Sequence, residues 1–240
     1  MNALRQRTIR AEARKLLVRL WDKRKEFWSS PPSVEEVVRG APEIVITEIL
    51  GLTLEKPEEI PQGLASTVSP GPQFEIAGYI DRAARKIVVA QKFPLEWRRF
   101  TTAHEIGHWI LHPEFVNHRD LPLIGGERAN KSRPQKELEA DLFAAEFLLP
   151  SKVLRKVFKS CFGGILDGSK PDHDLSFKLS AASGQRIGAC DLAKMDPMRR
   201  ALIVAAAGTF GARSFVPLHE RFKVSKTATA IQLLDLGLVT

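Results

Sequence analysis

The stretch RFTTAHEIGHWILHP, residues 99–113, places two histidines four positions apart, with a glutamate directly after the first. Its apolar residues recur at helical spacing and a proline ends it, which predicts a helix. Positions four apart share one face of a helix, so His104 and His108 can bind one metal ion through two imidazoles. Glu105 is rotated by roughly 100° and can act on a water molecule without being a ligand. The pattern predicts a catalytic metal site with Glu105 as general base.

The alternative is a core helix on which these polar residues fall by chance. A bare HExxH pattern arises at random in roughly one chain per hundred of this composition, so its surroundings matter. Apolar residues on either side indicate a packed helix that can hold ligands rigidly. Gly107, between the two histidines, costs about 1 kcal/mol of helix stability but allows another element to approach closely.

A catalytic zinc ion needs three protein ligands and one open position. Candidates for the third lie in QKELEADLFAAEFLLP, residues 135–150, a second predicted helix. Glu137 and Asp141 share a face, so with Glu137 as ligand Asp141 can accept a hydrogen bond from a ligating imidazole. Glu139 points about 200° away from Glu137 and is the less favoured alternative. His112 is not expected to be the third ligand, because no glycine between His108 and His112 turns the chain back. It is expected to cap the end of its helix as a partly cationic imidazole.

RFTTAHEIGH with the following HP, and the later E-x-x-x-D with FAAEFLLP, closely resemble the ImmA/IrrE family of zinc metallopeptidases. The resemblance is specific over about residues 75–150 and weaker on both sides. It implies a mainly helical, gluzincin-like α+β domain with a small β-sheet beside the HExxH helix. It also implies that Zn²⁺ is bound by His104, His108 and Glu137. Glu105 would be the base.

Members of the family are described as cleaving or inactivating helix-turn-helix repressors, often in stress responses. The resemblance therefore implies an endopeptidase with a specific intracellular protein substrate, such as a helix-turn-helix transcriptional repressor. The alternative function is a non-proteolytic, zinc-stabilised regulatory module that binds a repressor or DNA. Nucleic acid is a less favoured partner, and no membrane partner is expected.

Three regions are expected along the chain: a basic N-terminal helix at 1–30, a zinc metallopeptidase domain at 31–155, and a helical C-terminal region at 156–240. The breaker SSPP at 29–32 ends the first helix. Capping-box patterns start helices at Ser33 and Ser132.

A β-hairpin is predicted from the segments 75–80 and 86–91. Its edge could bind an extended substrate by strand addition, or other elements could cover it. Residues 44–54 fit either a strand or a short helix. Loops are expected at 57–72 and 114–133.

The first 28 residues hold nine basic and three acidic residues, a balance of +6 in a chain of net charge +8. A basic segment can attract nucleic acid. The favoured interpretation is a solvated helix face opposite a buried stripe of Ile9, Ala13, Leu16, Leu17, Leu20 and Trp21.

The segment 219–240 is similar to the helix-turn-helix-like tail of many ImmA/IrrE relatives. A turn at 223–224 and Ser225 as N-cap would start its last helix. A helix that reads DNA usually offers several Arg, Asn or Gln side chains, and here only Lys226 and Gln232 stand out. A structural or protein-recognition role is favoured over DNA binding.

The composition bears on location. The first residues lack the pattern of a secretory signal. The longest apolar stretch, at 201–211, is too short to span a bilayer. Only two cysteines occur, outside any CxxC pattern. A reduced, cytoplasmic protein is therefore expected.

Overall fold

The computed structural model describes residues 1–60, 76–114, 117–120 and 134–240, the third of these by its backbone alone. The chain forms two compact units, 1–148 and 149–240. The division into regions 1–30, 31–155 and 156–240 stays a prediction.

The HEIGH sequence, residues 104–108, lies on one of the helices of the first unit. Among its described residues they are α1 (Ala3–Asp22), α2 (Arg24–Phe27), α3 (Val34–Ile44), α4 (Leu95–Leu111) and α5 (Gln135–Leu148). The capping box at Ser33 is present, because its hydroxyl accepts from the Glu36 amide and the Glu36 carboxylate accepts from the Ser33 amide. The pattern at Ser132 lies outside the described residues, as do 61–72, 115–116 and 121–133 of the predicted loops.

The described residues of this unit form a four-stranded mixed sheet. Its strands are β1 (Thr53–Glu55), β2 (Gly78–Asp81), β3 (Lys86–Val89) and β4 (Asn117–Asp120), in the order β1-β3-β2-β4. The hairpin is confirmed: β2 and β3 pair antiparallel, with Gly78 opposite Val89 and Asp81 opposite Lys86. Both edges of the hairpin are covered: β1 pairs in parallel with β3, and β4 pairs antiparallel with β2.

The local structure at 44–54 and 114–133 resolves one open prediction and corrects another. The ambiguous segment 44–54 contains the end of α3, a π-helical turn Val45–Ile49 and most of β1. The stretch 114–133 was expected to be loop, yet it contains β4. The sequence of β4 is NHRD, with no β-branched residue, so its extended form comes from pairing with β2 rather than from its own propensity.

Helix packing places the two predicted site helices side by side. Gly107 of α4 faces Ala140 and Phe143 of α5, so the glycine allows the expected close approach. α1 also packs against α5. The predicted stripe of α1 is fully buried at Ile9, Ala13, Leu16 and Leu20; Leu17 and Trp21 are only partly buried.

The sheet lies beside α4, which contacts both β2 and β3. Ile80 and Ile87, which are opposite each other in the hairpin, are completely buried. The predicted fold class, a mainly helical α+β architecture with a small sheet beside the HExxH helix, is confirmed.

The second unit is helical apart from one short strand pair. Its elements are α6 (Ser151–Phe162), α7 (His173–Ser183), α8 (Ala189–Lys194), α9 (Pro197–Ala206), β5 (Thr209–Phe210), β6 (Arg213–Ser214), α10 (Leu218–Phe222) and α11 (Lys226–Asp235). α11 packs against α9 and starts at Ser225, whose side chain accepts from the Ala228 amide as expected. Gln232 of α11 is fully buried and donates to the Leu149 carbonyl at 3.1 Å.

None of the helices in the described parts of the chain combines the length and apolar character needed to cross a membrane.

Candidate metal centre

His104 and His108 are one helical turn apart on α4 and have no solvent exposure. Their Nε2 atoms are 2.9 Å apart, and their ring centroids are 4.6 Å apart. Both rings therefore direct the same nitrogen to one point beside α4.

Glu137, in the first turn of α5, completes the group. Its Oε2 lies 3.4 Å from Nε2 of His104, and its Oε1 lies 3.4 Å from Nε2 of His108. The three candidate ligand atoms lie within 4.8 Å of one another. Ligand atoms about 2.0–2.2 Å from a tetrahedral zinc ion lie roughly 3.3–3.5 Å apart, close to these spacings.

The donor set also fits a metal ion. Two imidazoles and one carboxylate form a known ligand set of catalytic zinc, in which a fourth position stays open for water or substrate. The Glu137 side chain is 13% exposed, whereas both histidine side chains are completely buried, so the group reaches the surface on the Glu137 side. These residues fit a catalytic rather than a closed structural metal site.

Asp141 lies one turn after Glu137 and contacts the first histidine. Its Oδ1 is 3.0 Å from Nδ1 of His104, and the carboxylate is nearly completely buried. With Nε2 of His104 facing the metal position, the ring proton belongs on Nδ1, where it is donated to Asp141. This contact holds the imidazole in one tautomer and one orientation.

Glu105 follows His104 on α4, is fully buried and lies against strand β2. A Cβ atom built on Gly78 would be 3.3 Å from Oε1 of Glu105 and 2.6 Å from Cγ2 of Thr101. The missing side chain at Gly78 therefore makes room for Glu105. Sequence reasoning did not find this residue, since a glycine at the start of a strand carries no sign of the helix that packs on it.

His112 caps the helix differently from the sequence-based expectation. Its backbone amide donates to the His108 carbonyl, but its ring turns inward and is 2% exposed. Nδ1 of His112 lies 2.9 Å from Nδ1 of His108. Burial lowers the pKa of His112, and the nearby Glu139 opposes this only in part. His112 is thus the C-cap residue as expected, but burial of its ring against another imidazole disfavours the partly cationic form.

The positive charge at the end of α4 comes from Arg82, in the hairpin turn. Its Nη2 donates to the carbonyl oxygens of His108, Trp109 and His112 at 2.9–3.1 Å. Its Cζ lies 4.5 Å from the centroid of the Trp109 ring. A cation is favourable there because the last carbonyls of a helix carry partial negative charge. Sequence reasoning missed this contact, which joins two separate elements.

Glu139 is buried on α5 and does not face the metal position. Its carboxylate accepts from Gln135 at 2.9 Å, contacts Nε2 of His112 at 3.2 Å and forms a short ion pair with Arg5. The hydrogen bond from Arg5 is the main reason that the pKa of Glu139 falls to about 2. From the sequence, Glu139 had no acidic residue four positions on, where Phe143 stands. Its partners in the structure are Gln135 of α5, Arg5 of α1 and His112 at the end of α4.

The structure brings His104, His108, Glu137 and Asp141 together from two helices, with Glu105 next to His104. Their assignments as ligands, supporting acid and base remain predictions.

A histidine pair on one helix and a glutamate from a second, in a mainly helical α+β unit, are the features of the HExxH metallopeptidase class. The family model Peptidase_M78, described as IrrE N-terminal-like domain, matches residues 65–162. The chain carries a domain of this family, which confirms the resemblance drawn from its two sequence blocks. A comparison with curated proteins gave no match.

Proposed function

We propose that this protein is a zinc-dependent endopeptidase that cleaves a specific intracellular protein. The observation that carries the proposal is the convergence of His104, His108 and Glu137, from two helices, within 4.8 Å. The family of the matched domain supports a metallopeptidase. The ligand chemistry supports zinc over magnesium or calcium, which prefer oxygen ligands.

In the proposed site His104, His108 and Glu137 hold the metal ion. When bound, zinc lowers the pKa of a water molecule and polarises the carbonyl of the peptide bond. Glu105 accepts the proton of the attacking water on its carboxylate and passes it to the leaving nitrogen. Asp141 keeps the His104 ring fixed while this occurs.

We also propose a substrate class, a helix-turn-helix transcriptional repressor, and a cytoplasmic location. The substrate class comes from the family resemblance alone. The location follows from the composition of the sequence.

The alternative is a non-proteolytic module that binds a repressor or DNA. Binding to DNA would use the basic residues of α1 and the C-terminal tail. Arg5, Arg10 and Arg14 of α1 bind carboxylates of α5 instead. Gln232, one of two candidate base-reading residues in the tail, is buried. These contacts count against the DNA-binding form of the alternative.

The test compares wild type with a Glu105→Gln variant, each incubated with purified helix-turn-helix repressors from the same organism. We expect zinc content equal to wild type and a loss of cleavage of about 10²–10⁴-fold, the usual contribution of a general base. Glu96→Gln on the same helix is the matched control and should cleave normally. His104→Ala should lose zinc.

Undiminished cleavage by Glu105→Gln would refute the assignment of the base. If wild type and Glu105→Gln both regulate the repressor without cleaving it, the non-proteolytic alternative is correct.

A further inference from the structure

A continuous line of polar contacts runs from His108 to the N-terminal helix. Nδ1 of His108 lies 2.9 Å from Nδ1 of His112, whose Nε2 lies 3.2 Å from Oε2 of Glu139. Arg5 of α1 donates to that same oxygen. His108, His112 and Glu139 are each at most 3% exposed. The contacts of His112 with His108 and Glu139 are therefore shielded from water, where hydrogen bonds are stronger, whereas the Arg5 side chain at the outer end is 37% exposed.

The direction of these hydrogen bonds follows from the metal position. If Nε2 of His108 is a ligand, the ring proton is on Nδ1 and is donated to an unprotonated Nδ1 of His112. The His112 proton is then on Nε2 and is donated to Glu139. Glu139, as a carboxylate, also accepts from Arg5. Each donor meets an acceptor in this arrangement.

We propose that His112, Glu139 and Arg5 are positioning residues of the metal centre, which hold His108 in the tautomer that presents Nε2 to the metal. The proposal rests on the metal site of the proposed function. Asp141 does the same for His104. Both histidines are thus held from their Nδ1 sides.

The proposal makes α1 part of the metal centre. Arg5 lies outside the residues 65–162 that match the family model. The position of α1 is also set by Arg10 and Arg14, which bind the completely buried Glu146 of α5 at 2.9 and 3.1 Å. Rigid support of this kind is what allows an outer residue to orient a ligand.

Zinc affinity, measured on the full chain by competition with a chelator, is the first readout. His112→Leu removes the acceptor for His108 and should weaken zinc binding by about 10–100-fold, the usual effect of such partners. Arg5→Gln should weaken it by about threefold to tenfold, since it acts through two intervening residues. Arg7→Gln, with the same loss of charge on an exposed position of α1, should change it by less than about twofold.

The second readout reports the His108 ring directly. In the zinc-loaded protein, ¹⁵N chemical shifts should show His108 protonated at Nδ1 in wild type. His112→Leu should broaden or shift these signals, which loss of packing elsewhere would not do. Circular dichroism shows whether each variant is folded.

His112→Asn keeps the test valid if His112→Leu does not fold. The Asn carboxamide oxygen can accept from Nδ1 of His108 but cannot reach Glu139, so zinc affinity should recover only to about the level of Arg5→Gln. In this background Arg5→Gln should have no further effect, because the line of contacts is already broken.

The proposal is overturned if folded His112→Leu binds zinc as wild type does, or if Arg5→Gln weakens zinc equally in the His112→Asn background. Wild type that binds zinc without cleaving any repressor overturns the proposed cleavage of repressors alone and leaves this inference standing. Wild type that binds no zinc overturns both.

Discussion

Gly107 of α4 lies directly against Ala140 of α5: a Cβ atom built on the glycine would be 3.2 Å from the Ala140 Cα. The same atom would be 3.2 Å from Cβ of Phe143. Carbon atoms in good contact are about 3.5–4.0 Å apart, so a methyl group does not fit without movement. The neighbours are helix backbone and the first side-chain atom, which cannot rotate away.

Gly107→Ala should therefore destabilise the protein even though alanine favours helices. Helix propensity would add about 1 kcal/mol of stability, while overpacking costs about 1–3 kcal/mol. We expect a net loss of about 1 kcal/mol in urea unfolding and weaker zinc binding, because the two ligand-bearing helices move apart. A variant more stable than wild type would show that the helices separate without cost.

Arg82→Ala should fray the last turn of α4, which carries His108. The arginine bonds to the carbonyls of His108, Trp109 and His112, and hydrogen bonds to charged groups contribute about 1.5–3 kcal/mol. We expect faster hydrogen exchange of the amides near His112 and a lower melting temperature. Arg82→Lys keeps the charge without the planar stacking on Trp109. Its exchange rates and melting temperature should lie between those of wild type and Arg82→Ala. Unchanged exchange in Arg82→Ala would rule out the capping role.

Glu146→Gln should be strongly destabilising, because the Glu146 side chain is 0% exposed between Arg10 and Arg14. The two arginines left behind are 17% and 37% exposed, so we expect a loss of about 1.5–3 kcal/mol, the usual contribution of hydrogen bonds to charged groups. Glu12→Gln is the control, since its pair with Lys15 is exposed and such pairs contribute less than about 1 kcal/mol. Equal losses in urea unfolding would mean that Glu146 does not anchor α1.

Zinc should raise the melting temperature through His104, His108 and Glu137. A free zinc concentration of 1,000 times Kd stabilises the folded state by about 4 kcal/mol, or roughly 10 °C for a chain of this size. A chelator should reverse the shift, His104→Ala should abolish it, and magnesium should cause little change because it prefers oxygen ligands. If zinc raises the melting temperature of His104→Ala as much as that of wild type, the metal binds elsewhere.

Asp167 of the second unit should give a pH dependence at low pH. Its carboxylate accepts from the hydroxyl and the amide of Ser169 and from the Thr240 hydroxyl, which lowers its pKa from 3.8 to about 2. Because the folded pKa is lowered, this group stabilises the fold above pH 3.8, and the contribution is lost as the pH falls to 2. NMR titration should show the low pKa in wild type and a rise toward 3.8 in Ser169→Ala. An unchanged titration in that variant would contradict the cause given.

Within a helix or a hairpin, the sequence by itself determined much of this protein. The four-residue spacing put His104 beside His108 and Glu137 beside Asp141, because a helix fixes the relative direction of its side chains. The capping pattern at Ser33 and the paired β-rich segments likewise reported local structure. Two recognisable sequence blocks were enough to identify the family of the domain.

Only the tertiary structure decided how separate elements meet. Arg5 is 134 residues from Glu139, and Arg82 is 26 residues from the His108 carbonyl that it binds. No periodicity links such positions, so His112 appeared to be a charged cap and the arginines of α1 a solvated face. The extended form of β4 likewise comes from a contact between elements, its pairing with β2. The physical reason is that local spacing encodes direction within one element, whereas contacts between elements depend on the packing of the whole chain.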